Sequence, residues 1–191
     1  MSAPELLAAL APVLEALRSL GVRHYVGGSI ASSAHGIARS SIDADVVAEL
    51  GPQHVAGLVA ALEGAYYVPE SRIRDAAARR ASFNVIHLET MLKVDVFVAR
   101  DRPFDRRAMD RAVSGVAGDL SLPLASPEDT ILAKLEWYRR GRQVSERQWS
   151  DVLGIIRVAG AALDLAYLRE NARELAVADL LDRALAEGEG L

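Results

Sequence analysis

The sequence predicts an α+β fold: a mixed β-sheet flanked by helices, followed by a C-terminal helical segment. Three observations carry that expectation. Short Val-rich runs alternate with helical apolar repeats up to about residue 125. From Ser126 onward every periodic stretch repeats at helical spacing. The change is marked by Ser126-Pro127-Glu128-Asp129, a capping serine, a proline at the first helical position and acids in the first turn. The expected organisation is an α/β core over 1–125 and a helical lobe over 126–191 packed on it.

Taken in order, residues 4–20 read as a helix, with Leu6, Leu10, Val13, Leu14 and Leu17 on one face and Gly21 as its stop. Val22 to Val26 reads as a strand entering a Gly27-Gly28-Ser29 turn, with Ser29 expected to cap a short helix that runs to His35. Ile42 to Ala48 is expected to be a strand, 52–62 a helix, 65–68 a short strand and 70–80 a basic helix. Ser82–Leu88 and Leu92–Val98 read as a hairpin across Glu89-Thr90-Met91. A helix is expected over 103–112, then loop with one short strand over 113–125. Helices follow at 127–140, 145–158, 164–175 and 177–186.

A chain of 191 residues, 51% hydrophobic, can bury a core. Its net charge of -4 argues against nucleic-acid binding by bulk charge but leaves local basic surface open. The absence of cysteine excludes disulfides, thiolate metal sites and a cysteine nucleophile. The four histidines show no ligand-pair spacing. The N-terminus carries Glu5 and Glu15 where a secretory signal is apolar, and no run reaches the length of a membrane span. The expectation is a cytoplasmic protein with no membrane association.

The stretch from Tyr25 to Leu50 concentrates the chemistry. Its glycine turn supplies backbone N–H groups and a serine hydroxyl at a helix N-terminus, which attracts phosphate. Asp43 and Asp45, two apart on a strand, project to one face. Two half-buried carboxylates so placed either shift their pKa values or bind a cation, and Mg²⁺ suits oxygen ligands shared with substrate phosphates. Asp95, between Val94 and Val96, is the candidate for a third carboxylate. Singly, an aspartate of the D-x-D is as often structural and a Gly-Gly turn is more often just a tight turn; strand, turn, helix and D-x-D in this order point to function.

That order resembles the nucleotidyltransferase superfamily, with its DNA polymerase β-like fold. Thirteen residues, Ile30 to Ile42, separate Ser29 from Asp43. The segment His35-Gly36-Ile37-Ala38-Arg39-Ser40-Ser41 resembles small bacterial proteins related to AbiEii-type toxins. Further likeness lies in Lys93-Val94-Asp95-Val96-Phe97, Ser126-Pro127-Glu128-Asp129, Lys134-Leu135 and Asp151-Val152. Trp149-Ser150 stands where the larger toxins carry an Arg-Asp signature.

The resemblance implies transfer of an NMP group from an NTP to a hydroxyl of RNA or tRNA, protein or a small molecule. Asp43, Asp45 and Asp95 would be catalytic and would hold Mg²⁺ or Mn²⁺. Gly27, Gly28, Ser29, Arg39 and Lys134 would bind the nucleotide, and an antitoxin-like partner would accompany a toxin-like activity. On its own position Lys134 reads as a lysine snorkelling from the edge of an apolar helix face. Two basic clusters, Arg72/Arg74/Arg79/Arg80 and Arg139/Arg140/Arg142/Arg147, are either solvated faces or a grip on an RNA backbone. Trp137 is the better candidate for stacking on a base, and Tyr138 for the core. The alternatives are a non-catalytic nucleotide-binding or partner-binding module on the same fold, and a different D-x-D enzyme. The D-x-D of haloacid dehalogenase-type phosphatases is only part-matched here, and a glycosyltransferase needs a nucleotide-binding half before its D-x-D.

Overall fold

The structure, a computed structural model, describes residues 3–38, 43–117 and 120–189. The first helix, α1 (Ala3–Ser19), buries Leu6, Leu10, Val13, Leu14 and Leu17. It ends where Gly21 takes a left-handed φ of 68°. Strand β1 (His24–Val26) feeds directly into α2 (Gly28–His35). Then come β2 (Asp43–Ala48), a 3-10 turn, α3 (Val55–Leu62), β3 (Tyr66–Tyr67), α4 (Glu70–Arg79), β4 (Ser82–His87) and β5 (Lys93–Val98). The core closes with α5 (Pro103–Asp110), β6 (Val113–Ala117) and β7 (Leu120–Leu124). Four helices follow: α6 (Pro127–Arg140), α7 (Glu146–Ala159), α8 (Leu165–Glu174) and α9 (Ala178–Glu189).

Among the described residues the strands form one mixed sheet in the order β3-β4-β5-β2-β1-β7-β6. Strands β2 and β5 lie parallel at its centre; β1 runs antiparallel to β2, and β4 antiparallel to β5. The pleat decides what each face does. Ala44, Val46 and Ala48 on β2, with Val94, Val96 and Val98 on β5, are fully buried. Helix α1 crosses β1, β2, β5 and β7, and with α3 and α4 it covers that face. The residues between them on the strands are half-buried and face the other side, where α6 lies. Truncating a fully buried side chain such as Leu17 would cost about 2–5 kcal/mol.

The four C-terminal helices pack on one another, α6 and α7 also holding α2. One apolar cluster runs from Leu6 through the strands to Ala184. Ser126 caps α6 by accepting from the backbone N–H of Asp129 at 3.1 Å, as the sequence predicts. No described helix is long and apolar enough to cross a membrane.

Two expectations need correction. The stretch 113–125 holds two strands rather than one, paired as an antiparallel hairpin with β7 against β1. Gly115 and Pro123 hid it. An ideal Cβ on Gly115 would fall 2.2 Å from Leu124 Cδ1, so the glycine makes room for a packed leucine. Strand β1 partners β7 only at Leu124, so the missing N–H of Pro123 interrupts no ladder on that side. Ser29 is not the N-cap of α2: the helix starts at Gly28, the cap position is Gly27, and Ser29 sits buried in the first turn.

Candidate active site

The central strands carry Asp43 and Asp45 on β2 and Asp95 on β5. In the parallel register Asp45 lies beside Asp95, and Asn84 of β4 lies beside Asp95 on the other side. Cross-strand neighbours share a face. Val26 opposes Val46, and the Gly27 N–H donates to the Asp45 carbonyl at 2.9 Å, so Gly27 completes the line. The result is a row, Asn84–Asp95–Asp45–Gly27, on the half-buried face. Asp43 stands two residues before Asp45 on that face, next to Lys93.

The glycine turn meets this row directly. Gly28 has a φ of 54°, and an ideal Cβ on it would fall 1.7 Å from Asp45 Oδ2. The turn therefore presses the start of α2 against the Asp45 carboxylate. The first N–H groups of a helix have no acceptor within it, and they favour anions. Ser29 Oγ donates to the Asp43 carbonyl at 3.5 Å, tying the same turn to β2. His35 at the far end of α2 holds the Ala125 carbonyl with Nε2 at 2.7 Å, a packing role.

The electrostatics follow from the crowding. Burial pushes the Asp45 carboxyl up from its ordinary value, and the charges of Asp95 and Asp43 add to the rise; Lys134 and Lys93 oppose it. Lys93 Nζ donates to Asp95 Oδ2 at 2.7 Å. Among the described residues no three His, Cys, Asp or Glu side chains are gathered closely enough to enclose a metal ion by themselves.

Lys134 is not a snorkelling surface lysine. It is 5% exposed, and its Nζ donates to Asp151 Oδ2 at 2.7 Å and to Gln148 Oε1 at 3.2 Å. Ser32 Oγ on α2 donates to the same Asp151 oxygen at 3.4 Å. The pair thus clamps α2, and with it the glycine turn, between α6 and α7. Asp151 shares its helix side with buried Ile155, but Val158, expected there too, is exposed.

Trp137 is half-exposed, its ring 6.1 Å from Phe97, which lies two residues beyond Asp95 on the same face of β5. Tyr138 is buried against Trp149, as expected. Among the described residues, four of the eight cluster arginines pair with acids: Arg74 bonds Glu70, Arg79 bonds Asp75, Arg139 bonds Asp179 and Arg140 bonds Glu136. Arg80 donates to the Ala99 carbonyl. Arg39, expected at the nucleotide, and Ile42, expected to open β2, lie outside the described residues.

Sequence reasoning missed Asn84 and Lys93 as parts of this face. The alternation of β4 and β5 held the signal, but only the register places them beside the aspartates.

The family model described as nucleotidyl transferase AbiEii toxin, type IV TA system, matches residues 25–187. Among solved structures, the solution structure of the antibiotic-resistance factor ANT(2'')-Ia overlays with a TM-score of 0.58 at 13% identity, covering 95% of this chain and 98% of that one. The crystal structure of ANT(2'')-Ia in complex with adenylyl-2''-tobramycin gives 0.55 at 14% identity, over 88% and 97%. An antigenic nucleotidyltransferase-like protein from Paracoccidioides brasiliensis gives 0.50 at 17% identity, over 91% and 92%. No curated protein matches the sequence significantly. At these identities the structural likeness is one of fold.

Proposed function

The chain belongs to the AbiEii nucleotidyltransferase family, and from that premise we propose that it moves an NMP group from an NTP to a hydroxyl acceptor with the help of Mg²⁺ or Mn²⁺. The observation that carries the reading is the row in which Asp45 and Asp95 stand side by side with the Gly28 turn pressed against Asp45. The donors are of the kind a divalent ion takes, with phosphate oxygens needed to complete its shell. Carboxylate oxygens that repel one another gain from a shared cation, and Mg²⁺ is commonly held by one or two carboxylates with phosphate oxygens completing its shell. Asp43, Asp45 and Asp95 would hold it, and when bound it would neutralise charge on the triphosphate.

The remaining roles fall to the chain's own groups. The α2 N-terminus, at Gly27, Gly28 and Ser29, binds phosphate oxygens. Lys134, whose charge acts on Asp45, adds positive charge. Asp95, its side chain 20% exposed, takes the acceptor hydroxyl's proton. The acceptor oxygen bonds to the α-phosphorus as the bond to the bridging oxygen breaks, and pyrophosphate leaves. Positioning and charge supply most of the rate gain in such a transfer.

ANT(2'')-Ia was solved with an adenylylated small molecule, which keeps a small-molecule acceptor alongside RNA, tRNA or protein. The family's description as a toxin extends the proposal to growth inhibition held in check by an antitoxin-like partner. The test is to incubate the protein with each labelled NTP, Mg²⁺ or Mn²⁺ and a cell extract, with Asp43→Asn as control. Label entering one acceptor class with wild type alone supports the reading. Binding of Mg·NTP with no pyrophosphate released from any acceptor would instead support the non-catalytic nucleotide-binding module.

A further inference from the structure

Lys93 opens β5 and lies across from Asp43 in the parallel register with β2. It folds back along its own strand to place Nζ 2.7 Å from Asp95 Oδ2. All three site carboxylates lie on the same strand face as this lysine, and Asp95 holds it directly. Two lysines therefore serve the row, and they differ in freedom. Lys134 is buried and fixed by Asp151 and Gln148. The Lys93 side chain is 43% exposed, on a flexible four-carbon stem.

The geometry points to Lys93 as a resident cation of the carboxylate row, one that competes with a divalent ion for Asp95 and gives way when the ion arrives on a nucleotide. A free divalent ion approaching Asp95 meets the ammonium already there, and like charges oppose each other. A metal–nucleotide complex brings its own negative phosphates, which offer the ammonium a new partner within reach of its stem. Lys93 would thus bias the site toward metal delivered with nucleotide over metal alone. It is a positioning residue, and its second partner rests on the nucleotidyltransferase reading above. The competition for Asp95 rests on the observed ion pair.

The test measures Mn²⁺ binding, without nucleotide, to wild type, Lys93→Met and Lys93→Arg, with thermal unfolding of the same samples. Removing a unit charge about 4 Å from a divalent ion corresponds, at the dielectric of water and before screening by salt, to about thirtyfold tighter binding. The expected result is Mn²⁺ affinity about tenfold or more tighter in Lys93→Met once salt screening is allowed for, with a larger Mn²⁺-induced rise in Tm than wild type shows. Lys93→Arg should behave as wild type, and Mg·NTP should bind Lys93→Met more weakly. A purely structural lysine would shift both affinities the same way. Mn²⁺ binding that is unchanged, weaker or undetectable in Lys93→Met overturns the inference, with Lys93→Gln, checked for native circular dichroism, guarding against misfolding. Should Mg·NTP bind neither protein while the Mn²⁺ difference holds, the nucleotidyltransferase reading fails and the competition stands.

Discussion

A methyl group on Gly28 would stand 1.7 Å from Oδ2 of Asp45, so the turn and the carboxylate fit together because position 28 has no side chain. Gly28 also holds a φ of 54°, which an alanine adopts only with strain. Gly28→Ala should therefore push Asp45 out of the row and lift the start of α2. We expect a stability loss of about 1–3 kcal/mol and a fall in NTP turnover of about 100-fold, the scale set by a misplacement of about 1 Å. Thermal unfolding and pyrophosphate release measure the two. Turnover at the wild-type level would remove the turn from the site.

Asp45 sets a pH dependence whose sign follows from its surroundings. Burial, then Asp95 and Asp43, raise its folded pKa, so the folded state holds this proton more tightly than the unfolded chain does. Stability is then greatest below the ordinary carboxylate value and falls as pH rises from there to the raised folded value. Without divalent ions, Asp45→Asn should unfold at or above the wild-type temperature at pH 7, with a weaker decline as pH rises above the ordinary carboxylate value. Asp129 shifts the same way in both proteins, so the difference between them isolates Asp45. Turnover should be lost in Asp45→Asn, as in Asp43→Asn and Asp95→Asn. An identical Tm–pH profile for variant and wild type would show that the carboxylate is not strained by its neighbours.

The Lys134–Asp151 pair is buried at both ends, with side-chain exposures of 7% and 8%. Removing one partner leaves an uncompensated charge inside, which costs about 3–5 kcal/mol. Lys134→Met should lose stability on that scale. The double variant Lys134→Met/Asp151→Leu should recover much of it while remaining inactive, because the positive charge acting on Asp45 is gone. Chemical denaturation of the singles and the double completes the cycle. A loss under about 1 kcal/mol in Lys134→Met, the range of exposed pairs, would mean that the pair opens to water in solution.

What the sequence discloses here is what depends on short range. The pleat alone places Asp43 and Asp45 together, and the Ser126 cap is local chemistry, so both are readable from neighbours in the chain. Lys93 is not, since its place beside Asp43 comes from a parallel pairing with a strand some fifty residues earlier. The second strand of the 113–124 hairpin is hidden for a similar reason. Gly115 looks like a breaker until Leu124 is seen filling its space. The arginine clusters, read as either solvated faces or an RNA grip, carry a further local signal. Glu70 before Arg74, Asp75 before Arg79 and Glu136 before Arg140 stand at helical ion-pair spacing. Those three arginines already have an acid one helical turn away, which favours the solvated-face reading for them.

Trp137 offers an optical test of where an aromatic ligand group lies. Its ring is half-exposed, supported edge-on by Phe97 at 6.1 Å and faced by the Arg140 guanidinium at 5.5 Å. Phe97 follows Asp95 on one face of β5, so the indole borders the carboxylate row. The other tryptophan, Trp149, is buried and donates its Nε1 hydrogen to Glu187. Quenching by a bound base should therefore report on Trp137 alone. We expect Mg·NTP or a nucleotide-bearing acceptor to quench the fluorescence of wild type, and Trp137→Ala to lose both the quench and roughly 5- to 100-fold in KM for that ligand, the range of one base stacked on an aromatic ring. The kcat should change little, because the indole touches no reacting atom. Trp137→Phe should keep part of the affinity without the signal. A quench of full size in Trp137→Ala would place the base beside Trp149 and away from this edge of the row.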